Sequence, residues 1–528
     1  MPSPLYLEGM KEEPREEREK DGDDEVSGFV ERSGLVKTLR RHLNYSIFGL
    51  LLLAIPVGVL SAYGAWGFRS AYGQLGGWLR GEAGFGNGLL PWIELTIGGL
   101  ILGLVLKLVG WNRFRNPAHV IVAASENEGK MKVKDGLITG LADAVALALA
   151  APVGRYGPTI YLGATLGSVF AQVLKLNATG IRVLLGCGVA AAISASFNAP
   201  IAGVIFAHEV IIGHFRLRAF APITIASVAA VAVTRYHHVE YVGLKLWSVP
   251  HPVTLGDYPV FFLLGLVFAV LAIAYMAGIM GVTTLSARMR LPIFLQPMLG
   301  GFFAGAIALA FPLILGLGDE TFLSVLEQDP GRPTFGVTTL LLLCFAKLVA
   351  SVLCLGFRFP GGAFTPAMFI GGMLGGVFGL LIPSLDYQVS VLVGMGSVVG
   401  AVVGAPLSVI LIVFELTENY EAATAVMVAV VAANAFVTRF FARSLFHRQI
   451  RILGIEVDRP PEQRILTNRK LAEVTRRHFH AIEIEARLGD ERERLQALRG
   501  KPVYLIDAAG GLVGELPQLD WKDLPDET

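Results

Sequence analysis

Two stretches place the ingredients of anion chemistry side by side: GRYGPTIYLG at 154–163 and GGAFTPAMFIGG at 361–372. Each runs glycine, an aromatic residue, then proline, before an apolar segment. Pro158 and Pro366 are pre-set for the first turn of a helix, and Gly154, Gly157 and Gly362 let a backbone come close to a partner. A helix start leaves its first N–H groups without intrahelical acceptors and carries roughly half a positive charge. At mid-membrane depth, where little water screens it, such a terminus is a site for an anion. Partial charges also suit a conduit better than a lysine, since a full cation there is costly to bury and slow to release its ion.

The elements that must hold these termini are membrane helices. Of the 528 residues, 53% are hydrophobic and 16% charged, against about 25% charged in soluble domains. Between Arg358 and Glu415 the one charged side chain is Asp386, and residues 183–207 carry none. Uncharged runs of about 20 residues are what a hydrocarbon core demands. Candidate spans are 47–63, 91–109, 137–152, 160–174, 183–207, 219–234, 258–282, 293–316, 336–357, 366–383, 389–414 and 422–441. Several are too short for one straight crossing, and several are cut by Gly or Pro.

Three parts follow along the chain. Residues 1–43 are charge-dense and expected to be cytosolic and partly disordered, ending in Arg40, Arg41 and His42. Residues 44–450 form the membrane body, closed by Arg439, Arg443, Arg448 and Arg451. Residues 451–528 are polar again and read as a small cytosolic domain, in which KPVYLIDAAGGLVGEL predicts a hairpin around Gly-Gly, similar to the last strand pair of a CBS motif. Basic residues flank the first and last spans, which puts both termini in the cytoplasm and makes the number of crossings even. No cleavable signal peptide is visible, so the first span is expected to direct insertion.

The body also repeats itself. ASFNAPIAGVIFAHEV, ending at Val210, parallels AVVGAPLSVILIVFEL, ending at Leu416, and the two glycine–aromatic–proline motifs parallel each other in the same order. Residues 45–235 and 258–450 therefore read as two halves built alike, as in many transport folds whose binding site sits at matching broken helices.

GRYGPTIYLG, SFNAPIAGVIFAHE, GGAFTPAMFIGG and VFELTENY, in this order over roughly 44–450, resemble the CLC family of chloride channels and chloride/proton exchangers. The resemblance implies an all-α polytopic membrane protein with an inverted-repeat fold of about 18 tilted helices, here with a small cytosolic α/β domain. It implies a homodimer with one pore per subunit, embedded in lipid in the cell (inner) membrane. It further implies an anion site at the backbone N–H groups of Ala363 and Phe364. Four side chains depart from the family pattern. The gating glutamate of the first motif is Tyr156. The family's Gly-Ser-Gly-Ile-Pro stretch aligns with Arg113–Pro117, which puts Phe114 at the serine. The inner proton-relay glutamate falls at Val210, and the pore tyrosine at Phe446.

A gating glutamate is an anion that competes with chloride and a group that can be neutralised. A phenol, with a free pKa of about 10, does neither near neutral pH. Tyr156 is left to plug the pore or to turn its O–H toward the ion as a donor. With Val210 apolar, both relay groups are gone, so passive conduction is expected and coupled exchange is not. Glu209 and His208 are the candidates for a rerouted proton path, although Glu209 is turned about 100° from Val210 unless the helix is locally reset. They equally suit a polar pair at a helix end.

Phe114 and Phe446 make the inner site more apolar, so Ala363, Phe364 and Gly157 amides carry recognition and weakly hydrated anions gain an advantage. Arg113 and Arg115 add positive potential at the inner mouth or simply obey loop topology. Arg155 either pins a helix start or touches the ion. Three cysteines inside apolar runs read as small hydrophobes. HEVIIGH lacks the second histidine of a zinc motif, no phosphate-binding loop exists, and the net charge of +1 gives no call for nucleic acid. No cofactor or metal is expected, and an enzyme or sensor reusing the scaffold finds no nucleophile in the body. The Asn44 and Asn177 sequons read as chance. Chloride or a similar small anion is the expected substrate, with fluoride and bicarbonate as alternatives.

Overall fold

The computed structural model describes residues 47–79, 91–237, 253–289, 291–452 and 454–455 of the membrane body, and short stretches between 480 and 515 beyond it. The segment 1–43 and the Asn44 sequon lie outside the described residues. The chain divides into two units, Met1–Val457 and Asp458–Thr528.

Sixteen helices of the first unit fall into two series of eight. The first comprises α1 (Ile47–Gly77), α2 (Pro91–Val109), α3 (Pro117–Ser125), α4 (Val133–Ala148), α5 (Tyr156–Val173), α6 (Ala178–Phe197), α7 (Pro200–Phe206) and α8 (Leu217–Tyr236). The second comprises α9 (Tyr258–Arg288), α10 (Gln296–Ala310), α11 (Asp319–Leu326), α12 (Val337–Gly356), α13 (Phe364–Leu381), α14 (Tyr387–Val403), α15 (Pro406–Thr417) and α16 (Tyr420–Phe440). A last helix, α17 (Leu445–Ile452), ends the unit. Equivalent helices have similar lengths: α1 and α9 have 31 residues each, and α5 and α13 have 18 each. The internal repeat is therefore a structural one.

Among the described residues nine helices are long and apolar enough to cross a bilayer. Their outward faces carry large apolar side chains, such as Phe48, Leu108 and Phe345, as a lipid-facing surface requires. The uncharged run 183–207 is not one span. Helix α6 stops at Phe197, Asn198 takes a left-handed conformation (φ 54°), and Pro200 starts α7 anew. The Asn177 side chain is used locally, where it accepts from the Gly180 N–H at 2.8 Å and caps α6.

Small residues bring the central helices together in both halves. On α5, Gly163 lies against the Gly188 carbonyl of α6; on α13, Gly371 lies against the Gly394 carbonyl of α14. A Cβ at either position would collide with backbone, so only glycine permits the approach.

The second unit contains a three-stranded sheet among its described residues, in the order β1 (His480–Glu483), β2 (Val503–Ile506), β3 (Leu512–Glu515). The antiparallel β2–β3 pair is the hairpin expected around Gly-Gly, with an irregularity in register between Leu505 and Ile506. Strand β1 pairs parallel with β2 and had no signal in the sequence.

Candidate anion pathway

The two glycine–aromatic–proline motifs meet at the centre of the membrane unit. Gly154 N–H donates to Gly362 O at 2.7 Å, and Gly362 N–H donates back to Gly154 O at 2.8 Å. This antiparallel bridge joins the two repeats two residues before each helix begins. Tyr156 opens α5 and Phe364 opens α13, so the two aromatic residues are repeat equivalents. A Cβ at Gly154 would stand 2.9 Å from Gly362 O, and one at Gly157 would stand 3.1 Å from Gly362 Cα. Glycine is therefore what lets both helix starts converge.

A cavity lies below this junction, toward α17. Phe114, Gly157, Ala363, Phe364 and Phe446 all line it, so the five residues read as the anion site share one space. The N–H groups of Gly157, Ala363 and Phe364 fall at helix starts, before any intrahelical acceptor is available. Among the described residues lining the cavity, none is acidic. Val210 is buried elsewhere in the core and lines neither this cavity nor the next.

A second cavity lies above the junction. Arg155, Tyr156, Phe197, Gly318, Asp319 and Thr365 are among its lining. The Tyr156 ring lines this second cavity. It stacks on Phe197 at a centroid distance of 4.0 Å and meets Phe364 edge-on at 5.1 Å. Such offset and T-shaped pairs are the favoured aromatic arrangements. The phenol oxygen accepts from Arg155 Nη2 at 3.1 Å, which leaves its own proton free to be donated. Tyr156 thus lines the upper cavity with its ring packed against Phe197 and Phe364.

Arg155 stands at the N-cap of α5 without a side-chain cap bond, and its guanidinium turns to other elements. Its guanidinium also donates to the Tyr72 hydroxyl at 3.2 Å and forms an ion pair with Asp319 at 3.2 Å. Asp319 is the first residue of α11, after Gly318 in a left-handed turn (φ 79°). The loop before it is held by Lys347, fully buried on α12, whose ammonium donates to Ile314 O and Gly316 O at 2.7 Å each.

The inner arginines are engaged in structure. Arg113 donates to Thr283 Oγ1 and Leu355 O, both at 2.9 Å, and Arg115 pairs with Asp135 at 3.6 Å beneath the Trp111 ring. Between them and Pro117, Asn116 caps α3 and donates to Gln449 Oε1 of α17 at 3.0 Å. That bond fixes α17, and with it Phe446, at the mouth of the lower cavity.

Glu209 and His208 line neither cavity. The helix is indeed reset, by a π-helical turn over Ala207–Ile212, yet the Glu209 carboxylate goes to α15. It accepts from Leu407 N–H at 3.1 Å, Ser408 N–H at 2.9 Å and Ser408 Oγ at 2.6 Å. Glu415 returns the contact, accepting from Ile201 N–H at 2.9 Å and Ala202 N–H at 2.8 Å at the start of α7. Each glutamate lies nine residues after the proline of its own helix and caps the other repeat's helix. His208 is buried between Phe215 and Phe220, with Nδ1 2.8 Å from His214 O.

Sequence reasoning missed Phe197, Asp319, Thr365 and Gln449. Phe197 stands inside the motif SFNAP and differed in no way from a core residue. Asp319 and Gln449 lie 164 and 333 positions from Arg155 and Asn116, with no pattern linking them.

Comparison with known proteins identifies the family. The family model described as voltage gated chloride channel matches residues 98–438. The chloride channel ClcB of Escherichia coli is 30% identical over 431 residues, covering 76% of this chain and 99% of that protein. A ClcB-like protein of Ralstonia nicotianae is 30% identical over 429 residues, 76% of this chain and 96% of its own. Among solved structures, a slow cyanobacterial Cl⁻/H⁺ antiporter superposes with a TM-score of 0.67 at 26% identity, over 78% of this chain and 99% of that one. A CLC-type fluoride/proton antiporter shares the fold, with a TM-score of 0.67 at 21% identity over 76% of this chain and 98% of that one. With two inverted halves meeting at Gly154 and Gly362 and paired helix starts facing one cavity, this polytopic membrane protein belongs to the CLC family of anion channels and transporters.

Proposed function

We propose that the chain conducts chloride or a similar small anion passively, without coupling to protons. The observation that carries this is the Tyr156 ring, wedged between Phe197 and Phe364 where the family has a titratable carboxylate. Below it the ion meets the amides of Gly157, Ala363 and Phe364 with no acidic side chain among the lining residues. A coupled exchanger needs groups that take up and hand on a proton. Tyr156 and Val210 supply none near neutral pH, and both Glu209 oxygens are committed to α15.

Ala363, Phe364 and Gly157 would bind the ion through backbone N–H groups, Phe114 and Phe446 would wall the site, and Tyr156 would gate it. Gly154, Arg155, Pro158, Gly362 and Pro366 would hold the helix starts in place. The working unit is a homodimer in the cell (inner) membrane, one pore per subunit, with both termini cytoplasmic. Ile201 and Leu407, matched positions at the starts of α7 and α15, leave apolar side chains exposed where a second copy can cover them.

The test is flux from vesicles containing the purified chain, with a pH electrode in the bath. A chloride gradient should release chloride with no uphill proton movement. Proton uptake at a fixed ratio to chloride would overturn the reading in favour of the antiport activity carried by the cyanobacterial and fluoride-specific relatives.

A further inference from the structure

We infer that Asp319 supplies the competing anion that Tyr156 cannot: its carboxylate contests Arg155 with the ion that arrives in the upper cavity. This rests on the conduction reading above. A family gate is a carboxylate that occupies an anion site until it is displaced. Here the carboxylate in the upper cavity belongs to α11, not to the first motif. It lies 3.2 Å from Arg155, and the same guanidinium holds the Tyr156 hydroxyl at 3.1 Å. Arg155 therefore answers to four claims: Asp319, the Tyr72 hydroxyl, the Tyr156 phenol, and any anion entering the cavity it lines.

A further observation points to an ion there. Thr365 is 3% exposed, its hydroxyl finds no hydrogen-bond partner among the described residues, and it lines the same cavity. Lys347 stands behind the wall, bound to carbonyl oxygens, with its Nζ 5.1 Å from the centre of the Phe369 ring. With Lys347 clamping Ile314 and Gly316, the Asp319 backbone stays put and its side chain alone can yield. An anion that takes Arg155 from Asp319 draws the guanidinium away from the phenol, and the Tyr156 ring loses the bond that orients it.

The experiment measures bromide binding to the full chain in detergent by isothermal titration calorimetry, beside bromide flux from vesicles against external bromide concentration. Asp319→Asn and Asp319→Ser, which remove the charge, should bind bromide on the order of tenfold more tightly and reach half-maximal flux at correspondingly lower external bromide. Asp319→Glu, which restores the charge, should behave as the unaltered chain. Equal bromide affinity in the unaltered chain and in both neutral variants would overturn the competition, whether or not vesicles conduct. Proton-coupled flux in the unaltered chain would instead strike at the passive reading and leave the binding comparison to decide the role of Asp319.

Discussion

At Tyr156 the proposed function puts a steric gate in place of an electrostatic one. The ring is held by two aromatic contacts and one charge-assisted hydrogen bond, so its removal should open the path between the two cavities. Tyr156→Ala is expected to raise anion flux by about tenfold, the equivalent of about 1.4 kcal/mol off the barrier, without creating proton coupling. Tyr156→Phe keeps the ring and its aromatic contacts but loses the bond from Arg155, so its flux should rise above that of the unaltered chain and stay below that of Tyr156→Ala. Tyr156→Glu restores the family's carboxylate but meets Val210 further in, so a pH electrode should still register no coupled proton movement. Coupling in that variant would mean another group passes the proton on.

Among the helices, the reciprocal caps are the strongest statement of the repeat. Glu209 binds the start of α15 and Glu415 the start of α7, each carboxylate facing the positive end of a short helix. Loss of a capping side chain costs about 1 kcal/mol. Glu209→Ala and Glu415→Ala should each lower the thermal unfolding midpoint in detergent, with vesicle flux per folded protein retained. A large selective loss of flux in Glu209→Ala with an unchanged midpoint would place that carboxylate in transport after all. The glycines of the central pairs should tolerate less. Gly371→Val drives a branched side chain into the Gly394 carbonyl, and overpacking of this kind costs about 1–3 kcal/mol. Folded yield, followed by size-exclusion chromatography, should fall with it.

For the pore as a whole, the proposed inner site would offer amides and aromatic edges in place of two hydroxyls. Aromatic edges accept anions weakly, and a site with fewer donors returns less of the hydration energy an ion gives up on leaving water. Anions that shed water readily should therefore be favoured. In mixed gradients the reversal potential should rank thiocyanate and bromide ahead of chloride, and chloride well ahead of fluoride. A reversal potential that favoured fluoride would mean that the Gly157, Ala363 and Phe364 amides close more tightly on the ion than a wall of Phe114 and Phe446 suggests.

Much of this was written in the chain. Proline spacing after Gly154 and Gly362, the uncharged runs and the Ala-Pro-to-glutamate interval of nine residues are local patterns, set by backbone geometry and the demands of hydrocarbon. They determined the helix starts, the repeat and the family. Phe114 and Phe446 were found by alignment to known motifs, and the structure brings them to one cavity with the Ala363 and Phe364 amides. The partners of those residues were a different matter. Arg155 chooses Asp319, Asn116 chooses Gln449, and Glu209 turns to Ser408 rather than to the pore. Such choices join positions hundreds of residues apart and follow from how tightly glycine-lined helices pack and where a buried charge can find a donor. They are energies of contact, and only the assembled fold brings the contacts into being.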